Sequence, residues 1–183
     1  MRVLLMLMLV LLVAGTASAK EIDRVKIEPQ VTVNAETLQL NGSGIRKKFF
    51  FKVYVGSLYS VRRLTSGPEA LRDTGDKLIR MNFVISKVEK EKIVDAFQEG
   101  FNSNTPELAD SAEVKKFLSL ITEDFKRGDQ VDLFLGGDGT VTGKLNGKLL
   151  GTLVSRPLAT AILAIYVGEH PADASLKKGL LGK

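Results

Sequence analysis

The segment Leu40–Ser60 reads LNGSGIRKKFFFKVYVGSLYS and joins a glycine-rich start to a cluster of cations and a long strand-forming run. Gly42-Ser43-Gly44 is typical of a turn, because glycine tolerates backbone conformations that other residues avoid. The following run, Ile45–Tyr59, is rich in aromatic and β-branched residues, which favour strands. The segment therefore predicts a turn followed by one continuous strand.

The two faces of this predicted strand differ in chemistry. Alternation places one set of side chains toward a core: Phe49, Phe51, Val53 and Val55. The opposite set mixes cations, a ring and a phenol: Arg46, Lys48, Phe50, Lys52 and Tyr54. Such a face suits either exposure to water or the lining of a cleft that receives an amphipathic acid. Because charged runs usually mark a solvated face, the pattern alone favours exposure.

The rest of the chain predicts a large antiparallel sheet with helices packed on it. Period-two alternation predicts strands at Val31–Val33, Leu38–Leu40 and Leu78–Ile85. Asp138-Gly139 and Asn146-Gly147 separate three further alternating runs, and both dipeptides favour type I′ hairpin turns. Together with the helices predicted below, these strands indicate an α+β domain.

Three helices are predicted from capping residues and apolar spacing. Ser86–Glu89 and Asp110–Glu113 have the form of capping boxes, and apolar residues follow each of them at helical spacing. The second apolar stripe is expected to run to Phe125. Ser155 caps a third helix, which is apolar on most sides and is therefore expected to be buried, and Gly168 ends it.

Four phenylalanines of the first two predicted helices could either fill the core or line a ligand cavity: Phe97, Phe101, Phe117 and Phe125. Helical spacing alone indicates a buried face, so the core is the favoured interpretation.

Composition and two isolated motifs exclude several classes of protein. Without cysteine, the chain can form neither a disulfide framework nor a thiolate metal site. Its net charge of +5 is spread among acidic residues and is too mild to predict nucleic-acid binding, although weak attraction to anionic lipid stays open. The phosphate-loop motif GGDGT at Gly136–Thr140 is followed by strand-like residues where a helix is needed. His170, the single histidine, lacks partners for a triad or a zinc site.

Residues 1–19 have the features of a secretory signal peptide. Arg2 precedes an apolar run, Val3–Ala14, and Ala17-Ser18-Ala19 supplies small residues for cleavage. An uncleaved membrane anchor is the alternative. Cleavage leaves residues 20–183 as one domain without an integral membrane segment, and the bacterial periplasm suits such a chain.

Three segments together resemble the chalcone-isomerase-like proteins, in their bacterial secreted branch. They are LNGSGIRKKFFFKVYVGSLYS, GTVTGKLNGKLLG and, at the C-terminal end, LATAILAIYVGEHPADASLKKGLLGK. The resemblance implies an open-faced β-sandwich, with a large antiparallel sheet and helices packed on it. In this family, plant enzymes cyclise chalcones to flavanones, whereas related plastid proteins bind fatty acids without catalysis.

The resemblance also implies site residues. Arg46 matches the arginine that stabilises the phenolate nucleophile in the plant enzyme, and Tyr54 matches a threonine that helps polarise the ketone. The catalytic tyrosine has no counterpart, since Ser86–Lys90 contains none. On one unbroken strand, Arg46 and Tyr54 would stand roughly 26 Å apart, so a shared ligand headgroup requires a bend.

The missing tyrosine favours binding over catalysis, because arginine alone can hold a carboxylate whereas ring closure also needs an activated ketone. We expect a periplasmic, monomeric, non-catalytic protein that binds a fatty acid or similar amphipathic carboxylate through Arg46 and Tyr54. No metal, other cofactor or nucleic acid is expected. An isomerase or intramolecular lyase acting on a small molecule is the second hypothesis, and a structural or envelope-interaction protein with a filled core is the third.

Export should remove the signal peptide after Ala19, because the small residues before that position fit a cleavage site. Intact mass spectrometry of the exported protein should then give a chain that begins at Lys20 and is recovered in the soluble fraction. Full-length chain retained in the membrane would show an uncleaved anchor instead.

Overall fold

The computed structural model describes residues 20–183 and is dominated by one sheet. Its strands are β1 (Lys20–Ile22), β2 (Val25–Ile27), β3 (Gln30–Val33), β4 (Glu36–Lys48), β5 (Phe51–Ser60), β6 (Lys77–Phe83), β7 (Lys87–Val88), β8 (Phe125–Lys126), β9 (Gln130–Leu135), β10 (Thr140–Leu145) and β11 (Lys148–Val154). Seven of them form an antiparallel sheet in the order β11-β10-β9-β6-β5-β4-β3. Strand β1 pairs with β2, and β7 pairs with β8. The predicted large antiparallel sheet is confirmed.

Helices pack on one side of the large sheet. They are α1 (Gly67–Arg72), α2 (Lys90–Asn104), α3 (Ala112–Leu118), α4 (Arg156–Val167) and α5 (Ala174–Leu180). The main hydrophobic core joins buried residues of these helices to side chains of the sheet. Two smaller clusters form separately, one around Tyr59 and Phe134 and one in which Ile27 of β2 packs with Val55. The fold is α+β, an open-faced sandwich whose main core lies beneath the helices.

The third predicted helix is confirmed as α4. The Ser155 hydroxyl accepts a hydrogen bond from the Leu158 N–H at 3.3 Å, Pro157 lies in the first turn, and Gly168 ends the helix. Most of its side chains are buried, as expected for a helix that is apolar on most sides. Within residues 20–183, no helix is long and apolar enough to span a bilayer.

One of the two predicted hairpin turns has the expected geometry. Asn146 and Gly147 both have positive φ, 50° and 79°, which fits the predicted type I′ turn. The type I′ prediction for Asp138-Gly139 is wrong, because only Gly139 has positive φ, at 95°. Here the Asp138 carboxylate accepts hydrogen bonds from the N–H and the hydroxyl of Thr140, at 2.8 and 2.9 Å. The GGDGT motif thus leads into strand β10, as expected.

The predicted turn at Gly42–Gly44 is wrong, because these residues lie inside β4. Their function is to let α5 approach the strand. A Cβ atom on Gly42 would overlap the Gly179 carbonyl oxygen, and one on Gly44 would lie 3.3 Å from the Leu176 Cα. The buried Asn41 side chain fixes the same contact, since its amide donates to the Leu180 carbonyl at 2.7 Å.

The chain turns instead at Phe49 and Phe50, so the predicted unbroken strand Ile45–Tyr59 is also wrong. Lys48 and Phe51 are paired across the hairpin, and Phe49 adopts a left-handed φ of 55°. All three phenylalanines are exposed, with 84% of Phe49, 98% of Phe50 and 68% of Phe51 accessible to solvent. The prediction that Phe49 and Phe51 face the core therefore fails, because Phe49 lies in the turn and Phe51 is the exposed first residue of β5.

Both predicted capping boxes differ from the observed helix starts. Glu89 precedes α2 without a side-chain cap, and the Lys90 N–H donates to Asp124 at 3.0 Å. Helix α3 is capped by Ser111 rather than by Asp110, and it ends at Leu118. Phe125 lies on β8 instead of on the helical stripe, because the chain leaves the helix to pair with β7.

Gly42→Ala should destabilise the protein by about 1 to 3 kcal/mol, because the added methyl group meets the backbone of α5 rather than a movable side chain. Gly143→Ala on β10 is the matched control, since its added Cβ would find its nearest neighbour at 3.8 Å. Urea unfolding of both variants measures the difference. Equal midpoints for Gly42→Ala and wild type would show that α5 does not pack closely on β4 in solution.

Candidate functional site

The structure brings together the two predicted ligand-binding residues. Arg46 of β4 and Tyr54 of β5 are paired across the hairpin, and the Arg46 guanidinium carbon lies 5.7 Å from the Tyr54 ring centroid. The separation of roughly 26 Å on an unbroken strand does not occur, because the turn at Phe49 and Phe50 supplies the required bend. The two residues can therefore contact one headgroup.

A third residue, Tyr166 of α4, joins this pair and was not predicted as a site residue. Its side chain is buried, and its hydroxyl donates to the Met81 sulfur at 3.2 Å. It is close enough to Arg46 and Tyr54 to influence the pKa of both. The sequence does contain a signal for Tyr166, since it is a phenol within an almost entirely apolar helix. A buried hydroxyl needs a polar neighbour, so such a residue indicates a polar group nearby.

The charge state of this cluster follows from burial and proximity. Burial lowers the pKa of the Arg46 guanidinium, but Tyr54, Tyr166 and Asp173 together raise it by more, and its net pKa is raised. Burial raises the pKa of the Tyr54 phenol. Burial, and then the neighbouring Tyr54, raise the pKa of Tyr166 well above its ordinary value. At neutral pH the cluster is one cation beside two neutral phenols, which suits an anion.

A second arginine of the sheet shows what Arg46 lacks. Arg80 lies over the ring of Tyr59, 5.8 Å from its centroid, and donates hydrogen bonds to Asp132 at 2.8 and 2.9 Å. By contrast, Arg46 forms no ion pair with any carboxylate in residues 20–183, and its buried Nε has no hydrogen-bond partner. The Arg46 guanidinium is thus a largely buried cation without a carboxylate.

Asp173 influences Arg46 but does not pair with it. Its attraction is a minor contribution to the pKa of Arg46, after burial and the two tyrosines. One carboxylate oxygen accepts from the Lys47 N–H and the other from the Leu176 N–H, both at 2.9 Å. Asp173 therefore joins the start of α5 to β4 and leaves the Arg46 guanidinium unneutralised.

An apolar inner cavity of about 30 Å³ begins at Arg46 and Tyr54. The other residues that line it are Met81, Phe83, Ile93, Ala96, Phe97, Phe117, Leu120, Ile121, Phe125, Val131, Leu133, Gly143, Leu150, Ile165 and Ala172. The role of four phenylalanines was open between core and cavity. Three of them line this cavity and also belong to the core: Phe97, Phe117 and Phe125. Phe101 lies behind this lining and packs edge-on against Phe117, with 6.0 Å between ring centroids. Among the residues that the structure describes, no acidic side chain or histidine lines this cavity.

An outer groove of about 470 Å³ lies on the other side of Arg46. It is bounded by the β4–β5 hairpin and α2, and its other lining residues are Lys48, Phe49, Phe51, Val53, Ile85, Val88, Lys92, Ile93, Asp95, Ala96 and Glu99. Arg46, Ile93 and Ala96 line both the groove and the inner cavity. Arg46 therefore lies where the groove meets the interior.

The other candidates from the sequence lie outside the inner cavity. His170 is exposed and lines a smaller cleft of about 110 Å³, which Arg46 and Glu99 also line. Ser86–Lys90, where the family's catalytic tyrosine would be expected, forms a bend, strand β7 and the start of α2. In the part of the chain that the structure describes, no group of histidine and acidic side chains is placed to hold a metal ion.

The fold and this cluster agree with the family that the sequence resembles. A sequence model of the chalcone isomerase-like family matches residues 19–182, which is nearly the whole chain. The protein therefore belongs to the chalcone isomerase-like family.

Comparisons of sequence and of structure both lead to a protein named for fatty-acid binding. The chain is 25% identical over 177 residues to fatty-acid-binding protein 1 of Arabidopsis thaliana, and the alignment covers 80% of this chain and 63% of that protein. The chain thus spans less than two thirds of that relative's length. The crystal structure of an Arabidopsis thaliana fatty-acid-binding protein is similar with a TM-score of 0.67 at 20% identity, covering 86% of this chain and 91% of the other. The likeness confirms the fold, and the names agree with the expectation of a non-catalytic protein.

The three tyrosines, Tyr54, Tyr59 and Tyr166, should resist ionisation in the folded protein. Burial is the main cause that raises the pKa of each above the ordinary value of 10.0. Because the folded state favours the neutral phenols, their stabilisation is complete below about pH 10 and is lost as the pH rises further.

Near-ultraviolet absorbance of tyrosinate measures this difference directly. At about pH 10 the folded protein should show little tyrosinate, whereas the chain unfolded in guanidinium should have about half of its tyrosines ionised. Half-ionised tyrosines in the folded protein would contradict the burial of this cluster.

Proposed function

We propose that the protein binds a fatty acid or a similar amphipathic carboxylate without catalysing a reaction on it. The observation that carries this proposal is the contrast between Arg46 and Arg80. Arg80 has a carboxylate partner, whereas Arg46 is similarly placed over a tyrosine ring and has none among residues 20–183. A ligand carboxylate would supply the missing partner through two parallel hydrogen bonds, and the Tyr54 hydroxyl would add a further donor.

The apolar tail is assigned to the inner cavity, since its walls beyond Arg46 and Tyr54 are apolar. About 30 Å³ holds little more than one water molecule, whereas small-molecule sites usually measure about 300 to 1,000 Å³. The cavity therefore has to widen when the tail enters. Leu120 and Ile121 are the walls suited to move, because they are half-buried and lie between α3 and β8 without a place in either element.

The lining also supports binding rather than catalysis. Proton transfer requires a positioned base, and neither an acidic side chain nor a histidine lines the inner cavity. One observation favours the isomerase hypothesis, because Tyr166 places a second phenol beside Arg46. Both phenols are neutral and their pKa values are raised, so they are poor bases at neutral pH. The name of the fatty-acid-binding relative likewise supports binding.

We assign the protein to the periplasm and to the bacterial secreted branch of its family. This assignment rests on residues 1–19, which lie outside the described residues. The family match begins at residue 19, next to the predicted cleavage site, which supports a mature domain that starts there. The mass of the exported chain tests this assignment.

Arg46→Ala should weaken binding of a fluorescent fatty acid by about 2 to 5 kcal/mol, because a desolvated carboxylate loses its partner. Arg46→Lys should recover only part of that loss, since an ammonium cannot reproduce the two-pronged contact. Lys47→Ala is the control, because this exposed neighbour lines neither the inner cavity nor the outer groove. Equal affinities for wild type and Arg46→Ala would remove Arg46 from the site.

Thermal melts of the unliganded proteins separate a binding arginine from a structural one. Arg46→Met should keep or raise the melting temperature, because it removes a buried cation that has no carboxylate partner. Arg80→Met should lower the melting temperature, because it leaves Asp132 without its partner. If Arg46→Met instead lowers the melting temperature strongly while Arg80→Met melts like wild type, Arg46 stabilises the fold and is not a binding residue.

A further inference from the structure

The tip of the β4–β5 hairpin exposes an unusual amount of aromatic surface. Phe49, Phe50 and Phe51, here called the aromatic tip, are the most exposed phenylalanines of the described chain. Phe50 keeps 98% of its surface accessible and lines none of the cavities described above. Residues that face water at the end of a turn are ordinarily polar, because exposed rings gain nothing from folding.

The turn itself is also poorly suited to its residues. Phe49 has a left-handed φ of 55°, a conformation that glycine and asparagine adopt far more readily than aromatic residues. Gly147 and Asn146 occupy the corresponding turn between β10 and β11, where both suit a positive φ, whereas Arg24 and Ala35 adopt positive φ in the turns after β1 and β3. A local rule broken without any packing gain is typical of a functional position.

Positive charge surrounds the aromatic tip. Lys47, Lys48 and Lys52 lie on the two strands beside it, and Lys52 pairs with Asp23 of the β1–β2 turn. Arg24 follows Asp23 in that turn and is exposed. The acidic residues near the groove, Asp95 and Glu99, lie on α2 rather than on the hairpin. The hairpin end of the groove is therefore basic as well as aromatic.

The aromatic tip is continuous with the candidate site. Phe49, Phe51 and Lys48 line the outer groove, and Arg46 lies at its inner end. A surface that receives the aromatic tip would therefore also cover the outer opening of the groove. A ligand leaving that surface could reach Arg46 along the groove.

We propose that the aromatic tip inserts into the interfacial region of an anionic lipid bilayer, with the outer groove facing the membrane. Aromatic side chains suit the headgroup boundary, and the flanking lysines complement anionic lipids. Three phenylalanines bury about 450 to 750 Å², less than the roughly 800 Å² that each partner buries in a stable protein interface. The bilayer is therefore the partner that this surface fits. Membrane docking does not depend on the proposed function. Direct transfer of a fatty acid between the bilayer and Arg46 does rest on it.

The absence of tryptophan from the chain allows a direct test. Phe50→Trp places a single tryptophan at the aromatic tip, and Val154→Trp places one at a site on β11 that is 77% exposed. With vesicles of phosphatidylcholine and phosphatidylglycerol, the Phe50→Trp emission should shift to shorter wavelength and be quenched by brominated lipid tails. The Val154→Trp emission should not change. Unchanged Phe50→Trp emission would overturn the proposal, as would equal insertion of both probes.

The contributions of the aromatic tip and of the lysines to membrane binding can be tested separately. Phe50→Ser should lower partitioning into anionic vesicles at least about tenfold, because a fully exposed ring can no longer enter the interface. Raising the salt concentration or omitting phosphatidylglycerol should also weaken partitioning, because both remove the attraction of the lysines. Partitioning that is unaffected by Phe50→Ser would overturn insertion through the aromatic tip. Self-association lost in Phe50→Ser, without any vesicle binding by wild type, would identify a protein contact instead.

Ligand transfer distinguishes a failure of docking from a failure of the proposed function. Phe50→Ser should keep the fatty-acid affinity of wild type in solution while slowing transfer from anionic vesicles to the protein. A wild-type protein that inserts but binds no fatty acid would reject the proposed function and leave docking intact. Equal transfer rates for wild type and Phe50→Ser would reject direct transfer from the bilayer.

Discussion

The tight turn between β4 and β5 is the constraint on which the site depends. With only two residues between paired Lys48 and Phe51, the turn brings β4 and β5 together, and a register shift between Arg46 and Lys47 then places Arg46 opposite Tyr54. The turn also exposes three phenylalanines at this end of the sheet and forms one wall of the outer groove. A longer loop would permit other registers, and a shift by one residue would move Arg46 to the opposite face of the sheet. The unfavourable φ of Phe49 is thus tied to the register of the whole hairpin.

The two arginines over tyrosine rings illustrate how stability and binding differ. Arg80 has its charge balanced by Asp132, and the pair contributes to the folded sheet whether or not a ligand is present. Arg46 remains unbalanced by a carboxylate of the described chain, which costs stability in the unliganded protein. Natural proteins tolerate such costs at positions that bind charged molecules, because the ligand offsets them on binding. The protein therefore contains two arginines over tyrosine rings, of which Arg80 has a carboxylate partner and Arg46 has none among the described residues.

Sequence reasoning succeeded where the structure is determined by neighbouring residues. The apolar helix capped by Ser155 and the Asn146-Gly147 turn follow from local preferences and were predicted correctly. The errors arose where distant segments decide the local geometry. Glycine at Gly42 and Gly44 serves the approach of α5, not a turn, and the start of α2 is capped by Asp124 from another segment. No local pattern contains these partners.

The candidate site was predictable only in part, for similar reasons. The family resemblance indicated Arg46 and Tyr54, and the required bend followed from the distance between them. Its position at Phe49 and Phe50 could not be predicted, because neither residue is a usual turn former. Tyr166 was missed because it is separated from Tyr54 by more than half of the chain and is brought near by the packing of α4 on the sheet.

The attachment of α5 to β4 has a consequence for the order in which the molecule can assemble. Asn41 contacts Leu180, and the Lys47 N–H contacts Asp173, so the strand that carries Arg46 is held by α5, which lies far from it along the chain. Contacts between such distant positions form late, because a long loop must close before they stabilise anything. A nascent chain emerging from its N-terminal end would therefore have the β4–β5 hairpin long before that hairpin is secured. The protein would become competent to hold the proposed ligand only after α5 has been synthesised and has docked on β4.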